Sequence, residues 1–333
     1  MKKVAFRILV AFLIVLSIVY LLGPHPATPF YSKQLPELPT SFVALEQYVQ
    51  QQESKHPIKK DNQAEIVWYD TTKKAKTPYS IVYLHGFSAS KTEGYPTHIN
   101  IAKQFGCNLY LSRLAEHGID TVDALMNMTP DNIWETAKEA YAIGKQLGDK
   151  VILMGTSTGG TLALQLAATY PDVAGLILYS PNIAVNDPNA WLLNNSWGLQ
   201  IARLVKGSNY NLINGDSTYA KYWNIKYRLE AVTALEELLE TTMTDATFKA
   251  IQQPVLTLYY YKDENNQDPV VKVTATKNMF AQLGSSNDLK RSVAMPNTGN
   301  HVLASPILSK DVAGVERETS RFLSDIMHLQ PLK

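Results

Sequence analysis

The sequence predicts an α/β fold with a mainly parallel central sheet, helices on both faces, and a helical cap inserted before one of the last strands. Three observations predict it. Strand-like and helix-like stretches alternate from residue 64 to the end of the chain, the pattern of parallel strands joined by crossover helices. KVILMG (150–155) and GLILYSP (175–181) are near-continuous apolar runs, as expected of strands buried on both faces. Residues 182–251 then interrupt the alternation with a stretch rich in Trp and Tyr.

The N-terminus stands apart. Residues 8–22 read ILVAFLIVLSIVYLL, with Ser17 the one polar residue, and Lys2, Lys3 and Arg7 lie ahead of this run. Residues 1–23 therefore read as a membrane anchor or signal sequence, close to the ~20 residues that span a bilayer. Cleavage needs small residues at −3 and −1, but Leu21 stands opposite Gly23 and His25 opposite Ala27. An uncleaved anchor is thus favoured over a cleaved signal. The leading positive charges keep the N-terminus in the cytoplasm. That puts the rest of the chain on the extracytoplasmic side, periplasmic or extracellular; after cleavage it would be secreted. Residues 24–40 hold Pro24, Pro26, Pro29, Pro36 and Pro39, a stiff linker expected to lift the domain off the membrane.

Residues 41–63 form a helix with helical apolar spacing (41–54) and a lead-in. The core comprises 64–181 and 252–333, and 182–251 is the cap. Within the core, AEIVWYD (64–70), SIVYLHG (80–86) and CNLYLSRL (107–114) read as strands, with a helix over 96–106 between the last two. The amphipathic stretch 132–148 is a helix stopped by Gly148. Next come strand 150–155, a helix over 158–170 ended by Pro171, and strand 175–181. Strands at 254–261 and 291–296 and a long closing helix complete the chain.

Composition narrows the function. Lys+Arg total 31 against 30 Asp+Glu, a net charge of +1, so the basic excess of a nucleic-acid binder is missing. Cys107 is the one cysteine, which excludes an internal disulfide, a multi-cysteine zinc site and a CxxC redox pair. The acidic stretch 263–274 has Asp268 where a calcium loop needs Gly and Thr274 where it needs Glu. No metal and no cofactor is expected.

Gly155-Thr156-Ser157-Thr158-Gly159 fits G-x-S-x-G and sits between a buried strand and a helix. This strand–turn–helix setting exposes a nucleophilic serine above a sheet. The flanking glycines allow the tight turn, and the helix N-terminus presents a positive dipole end to a developing oxyanion. The alternative is a small-residue turn with a hydroxyl cap. A phosphate loop would need the Lys of GxxxxGK[ST], which is missing here. Ser157 is the candidate nucleophile.

A serine nucleophile needs a base. Of seven histidines, His301 follows the last strand and precedes the last helix, on the sheet edge where Ser157 also lies. The third member should be a carboxylate between the two. Asp263 is nearer its strand end, whereas Asp268 opens Asp-Pro-Val-Val, whose apolar pair can pack back while the carboxylate faces the histidine. Asp268 is favoured and Asp263 is the alternative acid.

The order Ser, Asp, His is that of α/β-hydrolases. The residues Leu84-His85-Gly86-Phe87, Gly155 to Gly160, Asp268-Pro269-Val270-Val271 and Asn300-His301 resemble that superfamily over about residues 64–333. The chain is most similar to its carboxylesterase and monoacylglycerol-lipase branch. The resemblance implies an oxyanion hole made by the backbone N–H groups of Phe87 and Thr158. It implies a structural role for His117 in Glu116-His117-Gly118. It also implies a serine hydrolase of carboxylic esters, with an acylglycerol, lysophospholipid or simple ester as substrate. A serine aminopeptidase-type amide hydrolase is the alternative. It would need acidic residues in the cap, where Glu230, Glu236, Glu237 and Glu240 have the spacing of a solvated helix face. A non-catalytic binding protein of the same fold is the remaining alternative.

Overall fold

The computed structural model describes residues 2–332; Met1 of the expected anchor and Lys333 of the expected core lie outside them. Helix α1 (Lys2–Leu21) has no buried residue and is long and apolar enough to cross a membrane, with a mean hydropathy of 2.7 over its most apolar 18 residues. Helix α2 (Phe42–Glu53) is capped by Ser41, whose hydroxyl accepts the Ala44 N–H. The core then runs β1 (Glu65–Val67), β2 (Thr77–Leu84), α3 (Thr97–Gln104), β3 (Asn108–Leu111), α4 (Pro130–Leu147), β4 (Gly148–Thr156), α5 (Thr158–Thr169) and β5 (Val173–Tyr179). Residues 182–251 carry α6 (Gly198–Lys206), β6 (Tyr210–Leu212), α7 (Ser217–Tyr222), β7 (Lys226–Arg228), α8 (Leu229–Thr242) and α9 (Asp245–Ala250). The chain closes with β8 (Val255–Tyr259), β9 (Tyr261–Asp263), β10 (Asn266–Gln267), α10 (Val273–Gln282), β11 (Lys290–Ala294) and α11 (Val312–Arg321).

Seven strands form one sheet in the order β1-β3-β2-β4-β5-β8-β11. All its pairings are parallel except β1 against β3 at the edge. The sheet buries both faces. Val82, Leu84, Leu153, Leu176 and Leu178 face α4, α5 and α8, whereas Ile81, Tyr83, Ile152, Met154 and Ile177 face α3 and α11. Each such side chain contributes roughly 1.5–3 kcal/mol of burial. After β3 the chain passes back over β2 to β4, the fourth of seven strands. Such a reversal opens a crevice at the C-terminal strand edge, where α/β proteins place ligands.

Three features differ from expectation. Residues 24–40 are extended but do not stand off the domain. Trp134 Nε1–H donates to the Ser32 carbonyl (2.8 Å), Lys138 Nζ to Gln34 (2.8 Å) and the Tyr170 hydroxyl to Lys33 (2.9 Å). The core is not confined to 64–181 and 252–333, because Leu235, Leu238 and Leu239 of α8 join it from the cap segment. The closing helix is short and ends in a π-turn over Phe322–Ile326.

Candidate active site

Ser157 occupies the one-residue turn between β4 and α5 at φ 53° and ψ −119°. A non-glycine residue at positive φ is strained, and such strain persists only where the surroundings enforce it. They do so here. The Ser157 N–H donates to the Tyr179 carbonyl (2.9 Å), and the Ser157 carbonyl accepts from Gly160 (2.8 Å) and Asn182 (3.0 Å). The flanking glycines are steric necessities. A Cβ on Gly155 would meet the Gly159 carbonyl, and one on Gly159 would overlap the Leu84 carbonyl.

His301 lies in the loop after β11 and is buried. Its Nδ1–H donates to Asp268 Oδ2 at 2.7 Å. Asp268 is 1% exposed, and its Oδ1 accepts the amides of Val270 (2.8 Å) and Val271 (3.0 Å). Burial alone would raise the Asp268 carboxyl, but the charge and hydrogen bond of His301 and these amides outweigh it. They hold Asp268 below the usual carboxylate value. Burial likewise opposes a charged His301; Asp268 first and Glu93 second reverse that and hold the imidazole above its usual value. Asp263 lies elsewhere. It accepts from Asn265 and Asn266 within the β9–β10 hairpin, exposed to solvent.

Ser157 and His301 open on a common cavity of about 810 Å³ together with Phe87, Glu93 and Trp223. Among the described residues, neither the Phe87 nor the Thr158 amide donates to a protein acceptor. The Phe87 ring is wedged edge-on between His117 (6.0 Å) and Tyr227 (5.1 Å). His85 Nδ1–H donates to the Gly86 carbonyl (2.9 Å) while Nε2 accepts the Leu114 amide (3.1 Å). His117 bonds the Ala115 carbonyl (2.8 Å), and burial pushes it down to about 4. Both histidines are neutral scaffold.

Two cavity residues escape sequence reasoning. Glu93 is fully buried and its Oε2 accepts the Gly86 N–H at 2.5 Å. No motif marks it, since only the folded turn brings it under the loop. Glu236 corrects the reading of the α8 glutamates as one solvated face. Glu240 is exposed and Glu230 pairs with Arg228 and Arg203, but Glu236 is buried in the cavity wall. Among the described residues no donor bonds it. Burial, then Glu240 and Asp187, push it up to about 7.

A family model described as "Serine aminopeptidase, S33" matches residues 131–297, half of the 333-residue chain. A thermostable monoacylglycerol lipase of Bacillus sp. (strain H-257) is 33% identical over 112 residues, which is 33% of this chain and 43% of the relative. The match thus spans less than half of that relative's length. Among solved structures, one from work on LipS and LipT, two metagenome-derived lipolytic enzymes, superposes with TM-score 0.64 at 15% identity, over 80% of this chain and 98% of the other. A Paleococcus ferrophilus monoacylglycerol lipase gives TM-score 0.55 at 14% identity, over 78% and 97%. Est1E of Butyrivibrio proteoclasticus, bound to ferulic acid, gives 0.53 at 15% identity, over 79% and 95%.

Proposed function

Because the chain belongs to the serine aminopeptidase S33 family and has the α/β-hydrolase fold, we propose that it hydrolyses carboxylic esters through an acyl-enzyme on Ser157. The observation that carries this reading is the strained Ser157 turn opening on the same cavity as the Asp268–His301 pair. His301 takes the hydroxyl proton as Ser157 attacks the ester carbonyl. The free amides of Phe87 and Thr158 receive the oxyanion, worth about 3–4 kcal/mol per donor. Asp268 orients the imidazole and stabilises its charged form. The imidazolium passes its proton to the departing alcohol, and water then releases the acid by the reverse sequence.

The cavity wall supports an apolar substrate class. Leu192, Leu193, Ile201, Val205 and Val232 line it, a surface suited to one acyl chain. A monoacylglycerol, lysophospholipid or simple carboxylester is the substrate in this reading. The apolar α1, the one such helix among the described residues, would anchor the enzyme with its domain extracytoplasmic, or would direct secretion if cleaved. One observation favours a second reading, amide hydrolysis at a free N-terminus: Glu236 sets an unpaired carboxyl in the cavity wall.

Fluorophosphonate labelling of the wild type against Ser157→Ala tests the nucleophile. Label on the wild type alone is expected; an unlabelled wild type refutes catalysis and leaves a binding protein. A p-nitrophenyl ester series from acetate to laurate, set against aminoacyl p-nitroanilides, separates the two reactions. Faster turnover of anilides, lost in Glu236→Gln, would favour the peptidase.

A further inference from the structure

We propose that Glu93 is a positioning residue for this reaction, a second buried carboxylate that fixes the Gly86 amide, so aiming the adjacent Phe87 N–H, and adds negative charge beside His301 as its imidazolium forms. The inference rests on the ester-hydrolase reading and adds a member to its machinery.

The contacts are specific. Glu93 Oε2 accepts the Gly86 N–H at 2.5 Å, and a Cβ on Gly86 would lie 3.0 Å from both Glu93 oxygens and from Ser157 Cβ. The carboxylate is therefore packed against the turn that carries Phe87, directly across from the nucleophile. Around it stand Tyr83 from β2, Tyr219 and Trp223 from the cap segment, and His301. Tyr219 and Trp223 stack at 4.6 Å. His98 of α3 packs behind Tyr83 (4.9 Å) and is pushed down to about 4 by burial. Lys91, which shares with Glu93 the short 3-10 turn Lys91–Gly94, points away to Glu65 (2.6 Å). His301 is thus the group facing Glu93 that can gain positive charge near neutral pH.

Burying a carboxylate is costly. A neutral acceptor would hold the Gly86 amide as well at lower cost, so what the carboxylate adds is charge. Burial pushes Glu93 up to about 7 against the opposing pull of the Gly86 amide, His301 and Trp223. Because its folded value is raised, the unfolded chain releases this proton first. Stability therefore falls as pH rises from the usual carboxylate value toward 7, while the charge that assists His301 appears as pH rises through about 7.

Glu93→Gln separates charge from hydrogen bond. Rates are taken from pH 5 to 9 on a short p-nitrophenyl ester and normalised to fluorophosphonate-labelled Ser157. We expect kcat to fall about tenfold with KM within about twofold, and the acid limb to move down by roughly half to one pH unit. We also expect unfolding at pH 8 to occur at a higher temperature than in the wild type. A variant with wild-type kcat and an unmoved acid limb overturns the proposal. Should the variant misfold, NMR titration of the His301 imidazole in the wild-type enzyme decides. Two inflections, one near pH 7, are expected, and a single inflection refutes the coupling. An unlabelled wild type would sink the hydrolase reading instead, and the imidazole titration would still test Glu93.

Discussion

At the residue scale, acid–base roles follow from burial and partners more than from residue type. Asp268 and Asp263 are five positions apart, yet one is sealed against His301 and the other solvates its own hairpin. Asp268→Asn would present an amide N–H to His301 Nδ1, favour the wrong tautomer, and lower kcat by about 10³–10⁴-fold. Asp263→Asn should remain within about twofold of the wild type, because it breaks contacts in an exposed turn only. Steady-state kinetics of both variants checks this, and equal losses would contradict the assignment. The pH dependence has a definite sign. His301 must be neutral to accept the Ser157 proton, and its raised value places the acid limb of kcat/KM above the ordinary histidine value of about 6.5. Ser157, His301 and Asp268 could be proposed from the sequence because a motif or a strand end marks each one, and the fold sets His301 against Asp268 and opens Ser157 and His301 on one cavity. The burial of Glu93 and Glu236 in the cavity wall could not be read, because a turn closing in space or the rotation of a helix against the sheet brings each carboxylate there, and neither leaves a sequence period.

At the scale of elements, the nucleophile turn shows how local sequence and sheet packing combine. Gly159 is the first-turn residue of α5 that lets the helix seat against the end of β2. Gly159→Ala would drive a methyl into the Leu84 carbonyl and push α5 off the sheet. We expect a loss of about 1–3 kcal/mol or more in urea unfolding, together with slower fluorophosphonate labelling, since Thr158 moves with the helix. Unchanged stability and labelling would show that the turn relaxes freely. The seven sheet strands were legible down to a few residues at each end: the inner strands are near-continuous buried runs, and the partly exposed edge strands β1 and β11 were marked by their place in the strand–helix alternation. The β9–β10 hairpin and α10 were missed. The hairpin is nearly all polar, and in α10 Val273, Thr276 and Met279 become a buried stripe only once β8 and α9 stand beside them. In the same way, the aromatic residues of 182–251 signalled a covering segment but not that α8 would enter the main core.

At the scale of the whole molecule, the proposed anchor is joined closely to the covering segment. Trp197, at the start of α6, donates its amide to the Pro24 carbonyl (2.8 Å) and its indole N–H to Val19 (3.0 Å). Helix α6 therefore lies beside the end of α1. It exposes Leu204 (83%) and Val205 (77%), while Ile201, Ala202 and Val205 also line the cavity. With α1 in a bilayer and residues 24–40 bound along the domain, the apolar edge of α6 would meet the headgroup region. A single-chain lipid could then reach the cavity without crossing water. A buried aliphatic side chain is worth about 1.5–3 kcal/mol, so charging Leu204, which is outside the cavity lining, should weaken this second contact but leave α1 inserted. Leu204→Asp in the full chain should still float with phosphatidylcholine vesicles. It should hydrolyse p-nitrophenyl acetate at a rate near that of the wild type and lose roughly tenfold or more on a monoacylglycerol held in those vesicles. A chain starting at residue 24 should remain in solution and keep its activity on the acetate ester, since α1 contributes no buried residue. Equal losses on soluble and vesicle-bound esters would mean that α6 shapes the cavity rather than contacting lipid. An unchanged rate on both would remove α6 from the membrane face.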